Sequence, residues 1–468
     1  MTVKPTPNML TRRSFLNTSL AAGTTAGFLG LRQHVHAGQL IIDPYGPLIK
    51  DPAGIIDLPK GFSYTVVSAA GEEMDDGLLV PGRMDGMGAF AGENGQTILV
   101  RNHELHPKLS VTSFGEKLER LGDIPKEHFY DYGKGKTPHN GGTTTVVYDT
   151  AKGKTVSQHQ SLFGTVRNCA GGVTPWNTWI SCEETVNRPG QHAMFQYIST
   201  VDHGYNFEVP TSGVAKPVPL KAMGRFNHEA VAVHEATGIV YQTEDRHEGL
   251  FYRFIPNEKG KLSAGGKLQA LVISEQASYD TRNWQENAAR TELHEQLKVE
   301  WIDMDDVEAP EEDLRFRGFK AGAARFARGE GIWSAANGDL YFTCTNGGLY
   351  KDGQIWKYTP SPNEGTAEES KQPGVLTLFV EPNAKSILHA ADNLTVSPWG
   401  GLITCEDRNK KIIRLVGVTP NGELYYLANN RAGGEFAGAC FSPDGSALFV
   451  NLQIAGMTLA ITGPWQKM

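Results

Sequence analysis

The chain has little cysteine and no closely spaced cysteine pair. Its 468 residues contain five cysteines, which are Cys169, Cys182, Cys344, Cys405 and Cys440. The lack of a CxxC pair argues against a structural zinc site of the usual spacing. Because five is an odd number, the cysteines cannot all pair within one chain, and at least one thiol is free or bound to a metal.

The chain also lacks a surplus of basic residues. Lysine and arginine number 44 against 52 aspartates and glutamates, and the net charge of −8 disfavours a nucleic-acid-binding protein. With 40% hydrophobic and 21% charged residues the composition is that of an ordinary globular protein. It excludes a disordered, collagen-like or multi-span membrane protein.

The N-terminus has the pattern of an export signal. A twin-arginine sequence, Thr11-Arg12-Arg13-Ser14-Phe15-Leu16, precedes a weakly apolar run that extends to Leu31, and Ala37 follows at a possible cleavage site. We predict a twin-arginine signal peptide over residues 1–37. A short anchor helix is the alternative, but the run is short and rich in glycine for a spanning helix.

A twin-arginine signal predicts recognition by the twin-arginine export machinery and a periplasmic or secreted location. Twin-arginine signals are typical of proteins that are exported in the folded state. Export in that state would allow a cofactor to be inserted beforehand. The segment carries four basic residues and no acidic one, so the mature chain is the more acidic. We expect no nucleic-acid partner, no stable membrane anchor and a monomer.

A turn followed by a short apolar strand and a polar end recurs six times along the chain. The strand cores are Ile98–Val100, Trp179–Ile180, Ile239–Tyr241, Leu340–Phe342, Leu402–Ile403 and Leu448–Val450. Six such units predict an all-β fold, a six-bladed β-propeller with inserted loops and short helices, as one catalytic domain over residues 38–468. A β-sandwich is the alternative. The best helical candidate, residues 280–299, is polar and is expected in an insertion.

The polar ends of these strands are rich in oxygen donors. They include Asn102 and Glu104, Glu183 and Glu184, Glu244 and Asp245, and Glu406 and Asp407. In a propeller, equivalent strand ends gather at one channel mouth, where carboxylates and amides suit hard cations. Without cations, crowded acids would raise one another's pKa values. A set of exposed loop acids is the alternative.

The segment around Cys169 is the most unusual in the chain. Gly171 and Gly172 follow it and permit close backbone approach. A thiolate beside carboxylates suggests a mixed site, with a transition metal on sulfur and calcium or magnesium on oxygen. A buried, inert cysteine is an equally good interpretation. Cys182 and Cys405 occupy matching strand positions and are expected to be core or disulfide residues.

Two further clusters contain candidate ligands. Glu229 and Asp245 could both face the channel, whereas His228 is as compatible with a structural role as with a ligand. The same is true of His234.

Arg328 and Glu330 are two residues apart and share one face of an extended strand. A guanidinium beside a metal-bound carboxylate would clamp an anion such as phosphate. A structural ion pair is the alternative.

These motifs together resemble those of the PhoX-type alkaline phosphatases. The matching segments are RNHE (101–104), NCAGGVTPWNTWISCEE (168–184), GRFNHEA (224–230), RGEGIW (328–333), ADNLTVSPWGGLITCEDR (391–408) and EFAGACFSPDGSALFVNLQIAGMTLAITGPW (435–465). The resemblance implies a periplasmic β-propeller that hydrolyses small phosphate monoesters at a multi-metal centre of Fe³⁺ and Ca²⁺. Ala391 and Ala439 stand where the resemblance leads us to expect proline.

The resemblance also implies roles for individual residues. Cys169 would bind iron, Glu229 and Glu330 would bind or bridge metals, and Arg328 would hold the substrate phosphate as the catalytic arginine. Further metal ligands implied by the motifs are Glu184, Asp245, Glu104, Asn102 and Asp392. No serine or threonine stands out as a nucleophile, which suits a nucleophile activated by metal ions.

Two other functions remain compatible with the residues. A propeller with one calcium ion in its channel could be a lactonase or another calcium-dependent esterase, but such a site would not need Cys169. An acidic, calcium-stiffened propeller could also act as a binding module without catalysis. Measurements of iron content and of hydrolytic activity distinguish the phosphatase, the lactonase or esterase, and the binding module.

Overall fold

The computed structural model describes residues 42–465, apart from residues 106–110, 123, 136, 191–198, 288–289, 384–385 and 409–411. The predicted signal peptide of residues 1–37 lies outside the described residues. Across the described ranges, no helix has both the length and the apolar character needed to cross a bilayer.

The described residues form 27 strands and one α-helix. In chain order the strands are β1 (Leu48–Ile49), β2 (Ile56–Pro59), β3 (Ser63–Ala69), β4 (Met84–Ala91), β5 (Thr97–His103), β6 (Gly141–Asp149), β7 (Lys154–Thr165), β8 (Asn168–Val173), β9 (Thr178–Glu183), β10 (Asn206–Pro210), β11 (His228–Val233), β12 (Val240–Glu244), β13 (Gly249–Pro256), β14 (Gly266–Ile273), β15 (Gln296–Asp303), β16 (Arg325–Phe326), β17 (Gly329–Ser334), β18 (Leu340–Cys344), β19 (Gln354–Thr359), β20 (Val375–Val380), β21 (Ala391–Val396), β22 (Leu402–Glu406), β23 (Ile413–Val418), β24 (Leu424–Asn430), β25 (Phe436–Phe441), β26 (Ala447–Leu452) and β27 (Met457–Thr462). The helix, α1, spans Leu314–Lys320.

The strands pair antiparallel in five sheets. Their orders are β4-β5-β6-β7, β8-β9-β10, β11-β12-β13-β14-β15-β20-β19-β18-β17 with β16 on β13, β1-β2-β24-β23-β22-β21, and β25-β26-β27-β3. The large sheet consists of two runs of strands joined where β15 pairs with β20. In the last sheet the early strand β3 pairs with β27 near the C-terminus, which ties the two ends of the described chain together.

The innermost strands of these runs form a closed ring. β4 contacts β8, and the contacts continue through β11, β17, β21 and β25 back to β4. This arrangement is propeller-like and differs from the two facing layers of a β-sandwich. The predicted all-β fold is therefore confirmed.

The six turn-and-strand units of the sequence each become the second strand of a run. They correspond to β5, β9, β12, β18, β22 and β26, each paired with a ring strand. Apolar strand cores preceded by a turn were therefore a reliable signal. Packing between neighbouring runs buries these residues, as with Ile403 and Leu448 in one shared cluster.

The helix considered for residues 280–299 does not form in the part of this segment that the structure describes. The chain there consists of turns and the start of β15. The Asn283 side chain donates to the Thr291 carbonyl oxygen and accepts from its amide. Such side-chain bonds to the backbone compete with helical hydrogen bonding, and Asn283 itself has a left-handed φ of 56°.

The ring strands approach one another closely because some of their residues have no side chain. A Cβ atom added to Gly172 on β8 would lie 2.0 Å from the carbonyl oxygen of Val231 on β11. An added Cβ at Gly86 on β4 would lie 2.4 Å from the Cα atom of Ala170 on β8. Any larger residue would push neighbouring strands apart.

We therefore predict that Gly172→Ala destabilises the protein by about 1–3 kcal/mol, the usual cost of overpacking. Gly122→Ala is the matched control, because a Cβ atom there meets nothing within 4 Å. Urea unfolding monitored by circular dichroism measures both variants. Equal midpoints for the two variants would contradict the tight β8–β11 contact.

Candidate metal centre

The second residue of each ring strand lies at an equivalent place in the fold. These residues are Asp85, Cys169, Glu229, Glu330, Asp392 and Ala437. In five of the six strands the pairing with the second strand is interrupted between the first and the fourth residue, and in β25 it is interrupted between the second and the fifth. Such bulges redirect side chains. The same local irregularity thus presents five ligand-type side chains from five different strands.

A second set of polar residues follows the second strands. The first residue of each ring strand pairs with the last residue of its neighbour, so the next residue lies beside the ring position. These following residues are Glu104, Glu184, Asp245, Thr345, Asp407 and Gln453. Gln453 Nε2 donates to Asp85 Oδ2 at 2.9 Å and to Glu104 Oε2 at 3.0 Å, which links the two sets.

Nine of these and adjacent residues form four overlapping groups of possible metal ligands. Within each group the ligand atoms lie within 4.8 Å of one another. The groups are Asp85–Glu104–Cys169, Cys169–Glu184–Glu229, Glu229–Glu330–Asp392 and Asp392–Asp407–Glu435. We call these nine residues the acidic arc, because Cys169, Glu229 and Asp392 each belong to two groups and connect them.

Burial and mutual repulsion make the acidic arc electrostatically costly. Burial first, and then neighbouring carboxylates, hold the pKa values of Glu229, Glu330 and Asp392 well above the ordinary range. Burial and the nearby carboxylates also raise the pKa of the Cys169 thiol. The buried Glu229 Oε2 and Asp392 Oδ1 accept no hydrogen bond from any described residue. Bound cations would satisfy these atoms and offset the repulsion.

The donor set fits two kinds of metal ion. Carboxylate oxygens suit calcium, whereas the thiolate selects a transition metal. Since the Cys169 thiol is protonated in the absence of a metal, a metal ion would have to displace that proton. The chemistry of the residues is thus consistent with the predicted mixed centre.

Arg328 lies at one edge of the acidic arc. Its Nε and Nη2 atoms donate to the two Asp245 oxygens at 2.7 and 3.0 Å, and Nη2 lies 2.8 Å from Glu330 Oε1. The charge of Glu330 in particular raises the pKa of Arg328. Although burial would raise the pKa of Asp245, its contacts with Arg328 lower it. The predicted pairing of Arg328 with Glu330 is present, and Asp245 joins the same network.

Asn102 lies outside the four ligand groups. Its Nδ2 atom donates to the carbonyl oxygens of Cys169 and Ala170, and its Oδ1 atom accepts from Trp179 and Ser181. With the oxygen already accepting two hydrogen bonds, the Asn102 side chain holds the backbone that carries Cys169.

The two histidines considered in the sequence have local structural contacts. His228 is buried, stacks on Phe226 with ring centres 3.6 Å apart, and bonds the Gly224 carbonyl through Nε2. His234 bonds Thr237 in a turn beyond β11. Neither belongs to a ligand group among the described residues.

The five cysteines are free thiols. Cys182 and Cys405 are fully buried in two different hydrophobic clusters, so they are core residues and the expected alternative of a disulfide is wrong. Because the two thiols lie in different hydrophobic clusters, they do not meet to form a disulfide.

Sequence reasoning missed three members of the acidic arc as ligand candidates. Asp85 and Glu435 have no preceding apolar strand of the recurrent type, and Asp407 was noted only as a strand end. The available signal for Asp85 was an acidic residue followed by Gly86 at the start of an apolar run. Asp85 on β4 occupies the position that Cys169 occupies on β8, but this equivalence becomes visible only when the pairing of the strands is known.

Behind the acidic arc a buried ion network supports the β8–β9 pair. Glu183 accepts from the amides of Val166 and Gly204, and its Oε1 atom lies 2.7 Å from His203 Nδ1. His203 Nε2 lies 3.2 Å from Asp131 Oδ2. Although burial would lower the pKa of His203, Glu183 and Asp131 raise it to about 9. A charged His203 therefore holds Glu183, which fixes the loop leading to Cys169.

Comparison with known proteins identifies related chains. Residues 43–456 match the profile of the family described as alkaline phosphatase PhoX. The solved structure of Pseudomonas fluorescens PhoX in complex with vanadate, a transition state analogue, shares 18% identity over 91% of this chain and 98% of that one, with a TM-score of 0.66. A gluconolactonase from Xanthomonas campestris is less similar, with 11% identity, 90% and 99% coverage and a TM-score of 0.42. No curated protein sequence matches the chain.

The His203 network predicts a specific pH dependence of stability. Because the pKa of His203 is raised from 6.5 to about 9 on folding, its contribution is fully present below pH 6.5 and is lost as pH rises through 9. The free energy of unfolding of the wild type should exceed that of His203→Gln at pH 6. This difference should decrease by about 2–3 kcal/mol between pH 6 and pH 10. Urea unfolding at pH 6, 8 and 10 measures this difference, and a pH-independent difference would refute the charged-histidine assignment.

Proposed function

Because this chain belongs to the alkaline phosphatase PhoX family and is therefore a phosphomonoesterase, we propose that it cleaves phosphate monoesters at a centre of iron and calcium ions. The observation that carries the proposal is the acidic arc. Eight buried or half-buried carboxylates and one thiol form four overlapping groups of three, and the ligand atoms of each group lie within 4.8 Å of one another. A protein that held no cations there would retain a large electrostatic cost that Arg167 and Arg328 offset only in part.

We assign Cys169 to iron because it is the one soft ligand in the acidic arc. Glu229 lies in the same ligand group as Cys169 and in another with Glu330, which suits a position between neighbouring ions. Glu184 and Glu104 then supply oxygens for calcium. Asp245 reaches the same region through its hydrogen bond with Glu184. For Asn102, predicted as a ligand, we propose a positioning role instead, because its side chain holds the backbone that carries Cys169.

When bound, the metal ions supply positive charge for the phosphoryl oxygens and activate the attacking nucleophile. The residues of the chain position the substrate. Arg328 presents a planar guanidinium that matches the oxygens of a phosphoryl group. Asp245 fixes the guanidinium by a two-point contact, and Thr345 donates to Glu330 at 2.8 Å and fixes its carboxylate. Pre-set donors of this kind stabilise charge that develops in the transition state.

The finer features of architecture and location belong to the same proposal. The ring of six innermost strands supports a count of six blades, two of which share a sheet through β15 and β20. The twin-arginine sequence supports export of the folded, metal-loaded protein to the periplasm. Export after folding would allow the acidic arc to be filled before the protein leaves the cytoplasm.

Metal analysis combined with an activity assay tests the proposed function. Protein purified without chelators should contain iron and calcium by inductively coupled plasma mass spectrometry and should release inorganic phosphate from a phosphomonoester. Treatment with a chelator should abolish both the metal content and the activity. Calcium without iron, together with lactone hydrolysis and no phosphate release, would replace the phosphatase with a lactonase.

The iron assignment has its own test in Cys169→Ala. Removal of the thiolate should lower the iron content at least tenfold and abolish phosphatase activity, since a soft ligand selects the transition metal. Cys440→Ala is the matched control, because Cys440 is a free thiol buried in a hydrophobic cluster. The control should retain iron. Full iron content in Cys169→Ala would contradict the assignment.

A further inference from the structure

Building on the proposed function, we propose that Arg167 is a second phosphate-binding residue and grips the phosphoryl group together with Arg328. The sequence motifs assign a substrate role to Arg328 alone. The inference depends on three observations, which are the equivalent positions of the two arginines, their matching contacts and the donors that they leave unengaged.

Arg167 and Arg328 occupy the same place in the fold. Each directly precedes a ring strand, Arg167 before β8 and Arg328 before β17. Each has a left-handed backbone, with φ values of 49° and 55°. This conformation is uncommon and strained for residues other than glycine, and such strain concentrates at functional sites. Arg83 before β4 and Ala390 before β21 share it, with φ values of 51° and 48°, so this backbone is a feature of entry into a ring strand and starts the Arg167 and Arg328 side chains from equivalent positions.

The two arginines also make the same pattern of contacts. Arg167 bridges Glu104 and Glu184, with its Nη2 atom 3.0 Å from Glu104 Oε1 and 2.5 Å from Glu184 Oε2. Arg328 bridges Asp245 and Glu330. Glu184 and Asp245 are near enough for each to shift the pKa of the other. Arg167 thus contacts one member of a neighbouring pair of carboxyl groups and Arg328 contacts the other.

Both guanidinium groups retain donors for a ligand. In each, Nε and Nη2 contact carboxylates, whereas no described residue accepts a hydrogen bond from Nη1. The Arg167 and Arg328 side chains are 29% and 30% exposed, so these donors lie within reach of solvent. Arginines with purely structural roles in this protein differ, since Arg101, Arg225 and Arg253 are almost completely buried.

The charge of Arg167 is available throughout the working pH range. An arginine guanidinium keeps its proton in proteins. When cations bind Glu184 and Glu104, these carboxylates attract Arg167 less strongly. The guanidinium can then also bind an anionic substrate group. Two planar forks that meet one phosphoryl group hold it in a single orientation.

Four variants test the proposal. They are Arg167→Ala, Arg167→Lys, Arg328→Ala and the control Arg120→Ala, in which the replaced arginine is 31% exposed and pairs with Glu73 outside the acidic arc. The dissociation constant of inorganic phosphate is measured by equilibrium dialysis, which requires no turnover. KM, kcat, iron and calcium content and the melting temperature are recorded for the same samples.

We expect Arg167→Ala to weaken phosphate binding and raise KM about tenfold or more, as Arg328→Ala does, with iron and calcium content retained. Arg167→Lys should recover part of the affinity, because it keeps the charge but not the planar fork. Arg120→Ala should match wild type. Phosphate binding by Arg167→Ala within twofold of wild type would overturn the inference.

A second result would also overturn it. If Arg167→Ala lost calcium in parallel with phosphate affinity and Arg167→Lys restored both completely, Arg167 would be only a counter-charge. The proposed function fails separately, through a wild-type protein that holds metals and binds phosphate but hydrolyses no phosphomonoester. In that case the dialysis comparison of wild type with Arg167→Ala still decides the role of Arg167.

Discussion

Repulsion among the buried carboxylates of the acidic arc is the constraint on which the rest of the site depends. The acidic arc concentrates eight acids and a thiol within overlapping 4.8 Å groups, and burial makes each negative charge more costly. Part of this cost is offset by the chain itself, because Arg167 and Arg328 each place one positive charge between two carboxylates. The unpartnered oxygens of Glu229 and Asp392 show that this compensation is incomplete. Under the proposed function, cations would complete it, and the same positive charge would then serve phosphoryl transfer.

The fold produces this concentration by repetition. Five of the six ring strands contribute one ligand-type residue at an equivalent bulge, and each second strand ends one residue before another polar side chain. Glu183, Glu244 and Glu406, the last residues of three second strands, then accept hydrogen bonds from nearby backbone amides. The strand ends therefore supply possible metal ligands and, next to them, glutamates that bind the neighbouring backbone. One local arrangement, repeated around the ring, supplies ligands, arginines and supporting contacts.

Much of the fold and part of the site were predictable from sequence, for identifiable physical reasons. Strand cores such as Leu402–Ile403 stand out because apolar runs follow turns, and Cys169 stands out because glycines flank a thiol. The clustering of Glu229 with Glu330 was expected from the resemblance of the sequence motifs to those of the PhoX family. Asp85 and Arg167 were not predictable, since their importance comes from bulge register and from neighbours distant in the chain. The joining of two strand runs through β15 was likewise not predictable, because nothing in the sequence indicates that this inserted strand pairs with β20.

The central claim is that a thiol and carboxylates distant in sequence surround a shared group of cations. Anomalous diffraction at the iron absorption edge, from crystals of protein purified without chelators, tests this claim most directly. The account predicts a strong iron peak within bonding distance of Cys169 Sγ and close to Glu229, with lighter cations along the remainder of the acidic arc. A fully ordered acidic arc without an iron peak beside Cys169 would contradict it.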